Sequence, residues 1–134
     1  MGRAIIMHVD DAPWIRGGAK GEGDYPDGGG QLVGDLAKGP WVHVNWLPGG
    51  LVAPHHSHDH DEVMYILEGG FSMGKRKCGP GTVVYIEADT QYGFEVWDEG
   101  VRFLNIRHGL SLYAETGHDA VNPYESAAAD ETEN

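Results

Sequence analysis

Short apolar runs alternate with clusters of Gly, Pro, Asp and Asn along this chain, and none of the runs carries the 3.6-residue period of a long helix. Residues 41–47 set the pattern. Trp41, His43, Asn45 and Leu47 share one face of an extended segment, and Val42, Val44 and Trp46 share the other. Residues 62–67 alternate in the same way, with Glu62, Met64 and Ile66 together. Further strands are predicted over residues 4–9, 31–37, 71–77, 82–86, 92–97 and 101–107. Residues 10–30 read as a Gly- and Pro-rich loop anchored by Trp14 and Tyr25, and residues 87–91 and 98–100 read as connecting turns. Many short strands at even spacing predict an all-β, antiparallel sandwich or barrel.

Composition narrows this to one domain. A chain of 134 residues buries one core and has no room for two. Three parts are expected: a strand and Gly-rich loop over 1–30, a barrel over 31–114, and an acidic, disordered tail over 115–134. Glycine is 21 of the 134 residues, about twice its usual share of roughly 7%, which agrees with many turns. The net charge is −12, and half of it lies after Arg107, where six acidic residues meet no Lys or Arg. Such a surface opposes nucleic acid and anionic membranes as partners. The single cysteine, Cys78, excludes an intrachain disulfide and points to a reducing cytoplasm. No apolar run approaches the roughly 20 residues of a membrane span, and no signal-peptide core is present. Gly28-Gly29-Gly30 is followed by no Lys-Ser/Thr, so a phosphate loop is not read there.

The chemistry concentrates between residues 55 and 62, which hold four of the eight histidines and Glu62. Imidazole and carboxylate are ligands for divalent transition metals. His56 and His58, two apart on a strand, point to one face roughly 7 Å apart. On an unbroken strand Glu62 would lie about 13 Å further on, too far for a ligand oxygen. The chain must fold back between them, and Asp59-His60-Asp61 has the composition for that bend. A competing register would use His58 and His60. By parity His55 points away from His56.

This stretch resembles the first motif of the cupin superfamily. Gly50, five residues, His56-Ser57-His58, three residues, Glu62, six residues and Gly69 match that pattern at each fixed position. Residues 81–94 resemble the second motif in a weaker form: the usual proline is Glu87, the usual second glycine is Asp89 and the usual histidine is Tyr92. The resemblance spans roughly residues 31–107. It implies an antiparallel double-stranded β-helix, or jelly-roll barrel, with one mononuclear metal site held by His56, His58 and Glu62. In most metal-binding cupins the missing histidine is the fourth ligand, so three remain. The inner face of each strand would line a pocket, making His43 and Asn45 contacts to the metal ligands or the substrate, unless they face solvent or a partner. Met64, Ile66, Phe94 and Trp97 would be apolar walls, and Gln91 a lesser candidate ligand. Small cupins often pair through N-terminal strands, so residues 4–9 imply a homodimer.

Two histidines and a carboxylate are the facial triad of non-haem Fe(II) oxygenases. The leading expectation is a dioxygenase acting on a diketone, hydroxyketone or similar chelating compound. The alternative is non-redox lyase, isomerase or cyclase chemistry with Zn, Mn or Ni, in which Tyr92 serves as a base near the ion, unless it is itself a ligand or only fills the vacated space. A third expectation is a cupin that binds a small ligand without catalysis.

Overall fold

The computed structural model describes residues 2–16, 29–34, 39–108 and 113–115. Nine strands are present among them: β1 (Trp14–Arg16), β2 (Gly29–Val33), β3 (Trp41–Leu47), β4 (Val52–His58), β5 (Glu62–Met73), β6 (Arg76–Cys78), β7 (Val83–Ile86), β8 (Tyr92–Arg107) and β9 (Tyr113–Glu115). All pair antiparallel. The predicted strands over 41–47 and 82–86 are found at or within one residue of their bounds, and the only helical turn among the described residues is a 3-10 turn at Val9–Asp11.

Two long strands build the shell. The C-terminal half of β8 pairs with β3 on one side and with the start of β5 on the other, from Glu62↔Arg107 to Ile66↔Phe103. Its N-terminal half pairs with β4 and with the end of β5. Each long strand therefore belongs to both layers: β7, β5, β8, β3, β2 and β1 in one, and β6, β5, β8, β4 and β9 in the other. The register of β5 against β8 shifts twice, on either side of Glu68 and Gly69. Gly69 has φ +65°, a conformation open to glycine, and a Cβ there would collide with the carbonyl of Gly100. This bulged crossing lets both strands change layer and close an antiparallel jelly roll. The core is the apolar half of the interior, where Ile66, Phe71, Val96, Val101 and Phe103 pack with Met64, Cys78 and Ile86. Phe71 stacks on Phe94 at 4.5 Å between centroids.

Several sequence expectations are corrected. Residues 4–8 form no strand, and Ile6 is 96% exposed. The edge strand on which a homodimer was expected is therefore absent there. The expected loop over 10–30 contributes β1 and part of β2. Residues 98–100 are not a turn but the middle of β8. The ladder pairs resume on either side of them, at Val96 and Val101, so β8 runs on through their turn-like composition, with Gly100 at φ +82° absorbing the bend. Trp97 is on the face opposite Val96 and donates its indole N–H to Ser72 Oγ at 2.9 Å, so it lines no part of the interior. The expectations for Tyr25 and for the acidic tail beyond Glu115 lie outside the described residues. No described helix is long and apolar enough to cross a membrane.

Candidate metal centre

His56 and His58 come from the end of β4, and Glu62 opens β5. Residues 59–61 make the bend between them. Asp61 holds it, accepting from the Ala88 N–H at 2.8 Å and the Tyr85 hydroxyl at 3.2 Å. The Asp89 N–H donates to the His58 carbonyl at 2.8 Å, and Asp89 itself has φ +64°. Aspartate tolerates this left-handed conformation, which explains how it stands where glycine is usual.

Both imidazoles are buried and cross at 89° with centroids 5.2 Å apart. Rings that share one ion at about 2.0–2.1 Å per nitrogen stand at about this separation. His56 Nδ1 is 2.7 Å from the Pro54 carbonyl, which only accepts, so Nδ1 carries a proton, and in the neutral ring Nε2 then holds the lone pair. Metal-bound histidines are oriented by such a carbonyl bond. His58 Nε2 lies 3.3 Å from Arg107 Nη2. Arginine only donates, so this nitrogen also offers a lone pair.

Glu62 is 1% exposed and heavily bonded. Its Oε2 accepts from Asn105 Nδ2 at 3.0 Å and from Arg107 Nε and Nη2, each at 3.0 Å. Its Oε1 accepts a short hydrogen bond from the Tyr92 hydroxyl. Burial alone would raise the pKa of Glu62. The Arg107 guanidinium, followed by His58 and the bonds from Tyr92 and Asn105, more than offsets this and holds it at about 2, against the usual 4.5. Tyr92 also lies against His56, with centroids 4.4 Å apart.

Among the described residues, no three His, Cys, Asp or Glu side chains gather around one point as they stand. The Arg107 guanidinium spans Glu62 and His58. The donors fit a divalent ion in kind: His56 Nε2, His58 Nε2 and Glu62 Oε1, which carries only the Tyr92 bond.

The remaining expected residues divide. His43 is 3% exposed, and its Nδ1 is 2.9 Å from Asn45 Oδ1. The pair fits because Gly30 has no side chain; a Cβ there would overlap Asn45 Oδ1. Burial, then Arg107, lowers the His43 pKa from 6.5 to about 4, against the opposing pull of Asn45, Glu62 and Asn105. Met64 and Ile66 are buried in the apolar core, and Phe94 packs on its edge. Gln91 is exposed just before β8. Sequence reasoning missed Asn105 and Arg107. The alternation of residues 101–107 carried the signal, because both share a face with Val101 and Phe103, which are buried.

No protein-family model and no curated protein matches the chain. Solved structures do. An RmlC-like cupin protein from Ralstonia eutropha JMP134 superposes with TM-score 0.70 at 20% identity, over 94% of this chain and 82% of that one. The chain folds as a cupin. The polyketide cyclase RemF from Streptomyces resistomycificus gives TM-score 0.65 at 20% identity, over 96% of this chain and 93% of the cyclase. A second R. eutropha JMP134 protein, of unknown function and with a cupin-like fold, gives 0.69 at 14% identity over 98% and 89%. At these identities the likeness is one of fold, and the reaction in a neighbour's name stays with that neighbour.

Proposed function

We propose that this cupin is a metal-dependent enzyme acting on a small oxygen-bearing molecule by non-redox acid–base chemistry of the lyase, isomerase or cyclase type. The observation that carries the reading is the hydrogen bond from the Tyr92 hydroxyl to Glu62. His56, His58 and Glu62 would hold the ion. When bound, a divalent ion such as Zn, Mn or Ni would polarise a substrate oxygen, whereas Fe(II) would support oxygen chemistry. Tyr92 keeps its proton in the resting site and aims it at an anion. A substrate oxygen arriving beside the ring would compete with Glu62 for that proton. Giving it up leaves a phenolate, the base needed to remove a carbon-bound proton. His43, with its lowered pKa, would be neutral near pH 7 and would add no charge. The apolar side of the interior would exclude water from the reacting groups.

The test is deuterium exchange. Protein loaded with Zn(II) or Mn(II) is incubated in D₂O with a panel of diketones, hydroxyketones and hydroxy acids, and exchange of the carbon-bound proton is followed by NMR. Tyr92→Phe should keep its metal and lose the exchange about 10²-fold or more. Retention of full exchange by that variant would remove Tyr92 from the chemistry. A second reading, a non-haem Fe(II) dioxygenase, is favoured by the two-histidine, one-carboxylate donor set. It predicts O₂ uptake by the Fe(II)-loaded protein in place of exchange. Absence of both activities across the panel would count against catalysis and leave the ligand-binding alternative.

A further inference from the structure

One face of the layer formed by β7, β5, β8, β3 and β2 is turned away from the interior, and it is apolar over most of its width. A row of paired residues crosses it from β2 to β7: Gln31, Val44, Leu104, Tyr65 and Val83. Gln31 and Val44 are buried. Residues 9–12 lie against this end, where Gln31 Nε2 donates to the carbonyls of Val9 at 2.7 Å and Ala12 at 3.4 Å. Toward β7 the same row is bare. Tyr65 is 41% exposed and Val83 is 60% exposed. In the neighbouring row Ile106 pairs with Val63 and Val63 with Tyr85, which is 62% exposed. Leu67, two residues beyond Tyr65 and so on the same face, is exposed as well.

Size and charge say what this face fits. Tyr65 and Tyr85 by themselves leave roughly 200 Å² open. Joined by Val83, Leu67 and Ile106, they reach the few hundred Å² at which an exposed apolar patch marks an interaction site. None of these side chains is charged, although the chain carries −12. Opposite charges stand together at one rim, where Arg102 is 3.8 Å from Glu68. A strongly acidic or basic partner would find no counter-charge on the patch. A second copy of this chain would meet the same uncharged face, which is what a two-fold contact requires. Two chains of −12 can approach there without setting like charges against each other.

We propose that two copies of this chain pair through the outer face of β5, β7 and the end of β8, with Tyr65 and Val83 at the centre of a two-fold contact. This surface takes the place of residues 4–9 as the seat of the dimer, and it is independent of any ion or reaction in the interior. A standard interface takes roughly 800 Å² from each partner. The apolar patch forms its centre, and Glu68, Arg102 and the polar groups around them form its rim. The patch backs the strands that carry Glu62 and Arg107 on their inner face.

The experiment is sedimentation velocity of the full chain from about 1 to 100 µM, at about 0.1 M and about 1 M salt. A species of twice the 14.6 kDa chain should form, and its share should hold or grow at the higher salt, because salt screens the repulsion between two acidic chains. Val83→Lys and Tyr65→Lys each place a charge twice in one interface and should weaken association about tenfold or more. Val52→Lys should leave it unchanged, since Val52 is as exposed as Tyr85 but lies on β4 in the other layer. If neither Val83→Lys nor Tyr65→Lys folds, hydroxyl-radical labelling of Tyr65 and Tyr85 in the native protein should fall as its concentration rises. Monomers throughout the range would overturn the proposal. Labelling would then separate a face covered by the chain itself, with both tyrosines protected, from one left open to a different protein. Dimers that ignore both Val83→Lys and Tyr65→Lys, that vanish in Val52→Lys, or that weaken at high salt would overturn it equally.

Discussion

Strands β5 and β8 run side by side through the interior, and their two ends are built on different principles. At one end, Ile66 faces Phe103 and Phe71 faces Val96, all among the buried apolar core. At the other end, Glu62 faces Arg107 and Met64 faces Asn105. The polar end pairs without a break from Glu62 to Ile66, and the two register shifts fall within the apolar end, between Ile66 and Phe71. The apolar end gains from water exclusion and tolerates changes that conserve volume. The polar end is stable only while each charge and amide keeps its partner. The difference teaches that burial alone does not say whether a residue serves stability or chemistry. Glu62 at 1% exposure and Ile66 at 0% are equally hidden, and only their partners separate them.

The largest expected effect lies in the apolar end. Phe71→Ala removes a ring that touches Phe94 and Phe103 and should cost about 3–5 kcal/mol in urea unfolding. A comparable loss is expected at the polar end from Arg107→Met, about 3–5 kcal/mol, because Glu62 is left buried without its cation. The sharper comparison is the double variant Glu62→Leu/Arg107→Met. It should recover most of that loss, whereas no second substitution restores Phe71→Ala without refilling the cavity. A double variant as unstable as the single one would mean that the pair is a net stabiliser in its own right.

The smallest effect is a pH signature. The pKa of His43 is lowered in the fold, so the unfolded chain takes up the proton first as pH falls. Stability from this group is whole above pH 6.5 and declines toward pH 4, by up to about 3 kcal/mol. Glu62 has the same sign in a lower window: its contribution is whole above pH 4.5 and is lost toward pH 2. Unfolding curves from pH 7 to 4.5 thus cover the His43 window and leave out that of Glu62. His43→Gln should flatten the slope there, and an unchanged slope would assign it to another group.

Much of this protein could be read from its residues in order. Alternation in residues 41–47 and 62–67 announced strands, because the side-chain period of a strand is two and local sequence shows it. The bend at 59–61 followed from chain geometry alone, since His58 and Glu62 could approach each other in no other way. The spacing of Gly50, His56, His58, Glu62 and Gly69 led to the fold. Pairing between distant segments was not legible in this way. Residues 98–100 have the composition of a turn, yet they lie within β8, between the paired residues Val96 and Val101. Tyr92 could be singled out from the chain, but its bond to Glu62 joins residues 30 apart. Arg107 stands 45 residues from Glu62 and meets it only because β5 and β8 pair in that register. Periodicity and motif spacing are local, so the sequence determined the strands, the bend and the donor types. The partners of those donors depend on strand order and register, and the tertiary structure alone decided that a guanidinium stands among them.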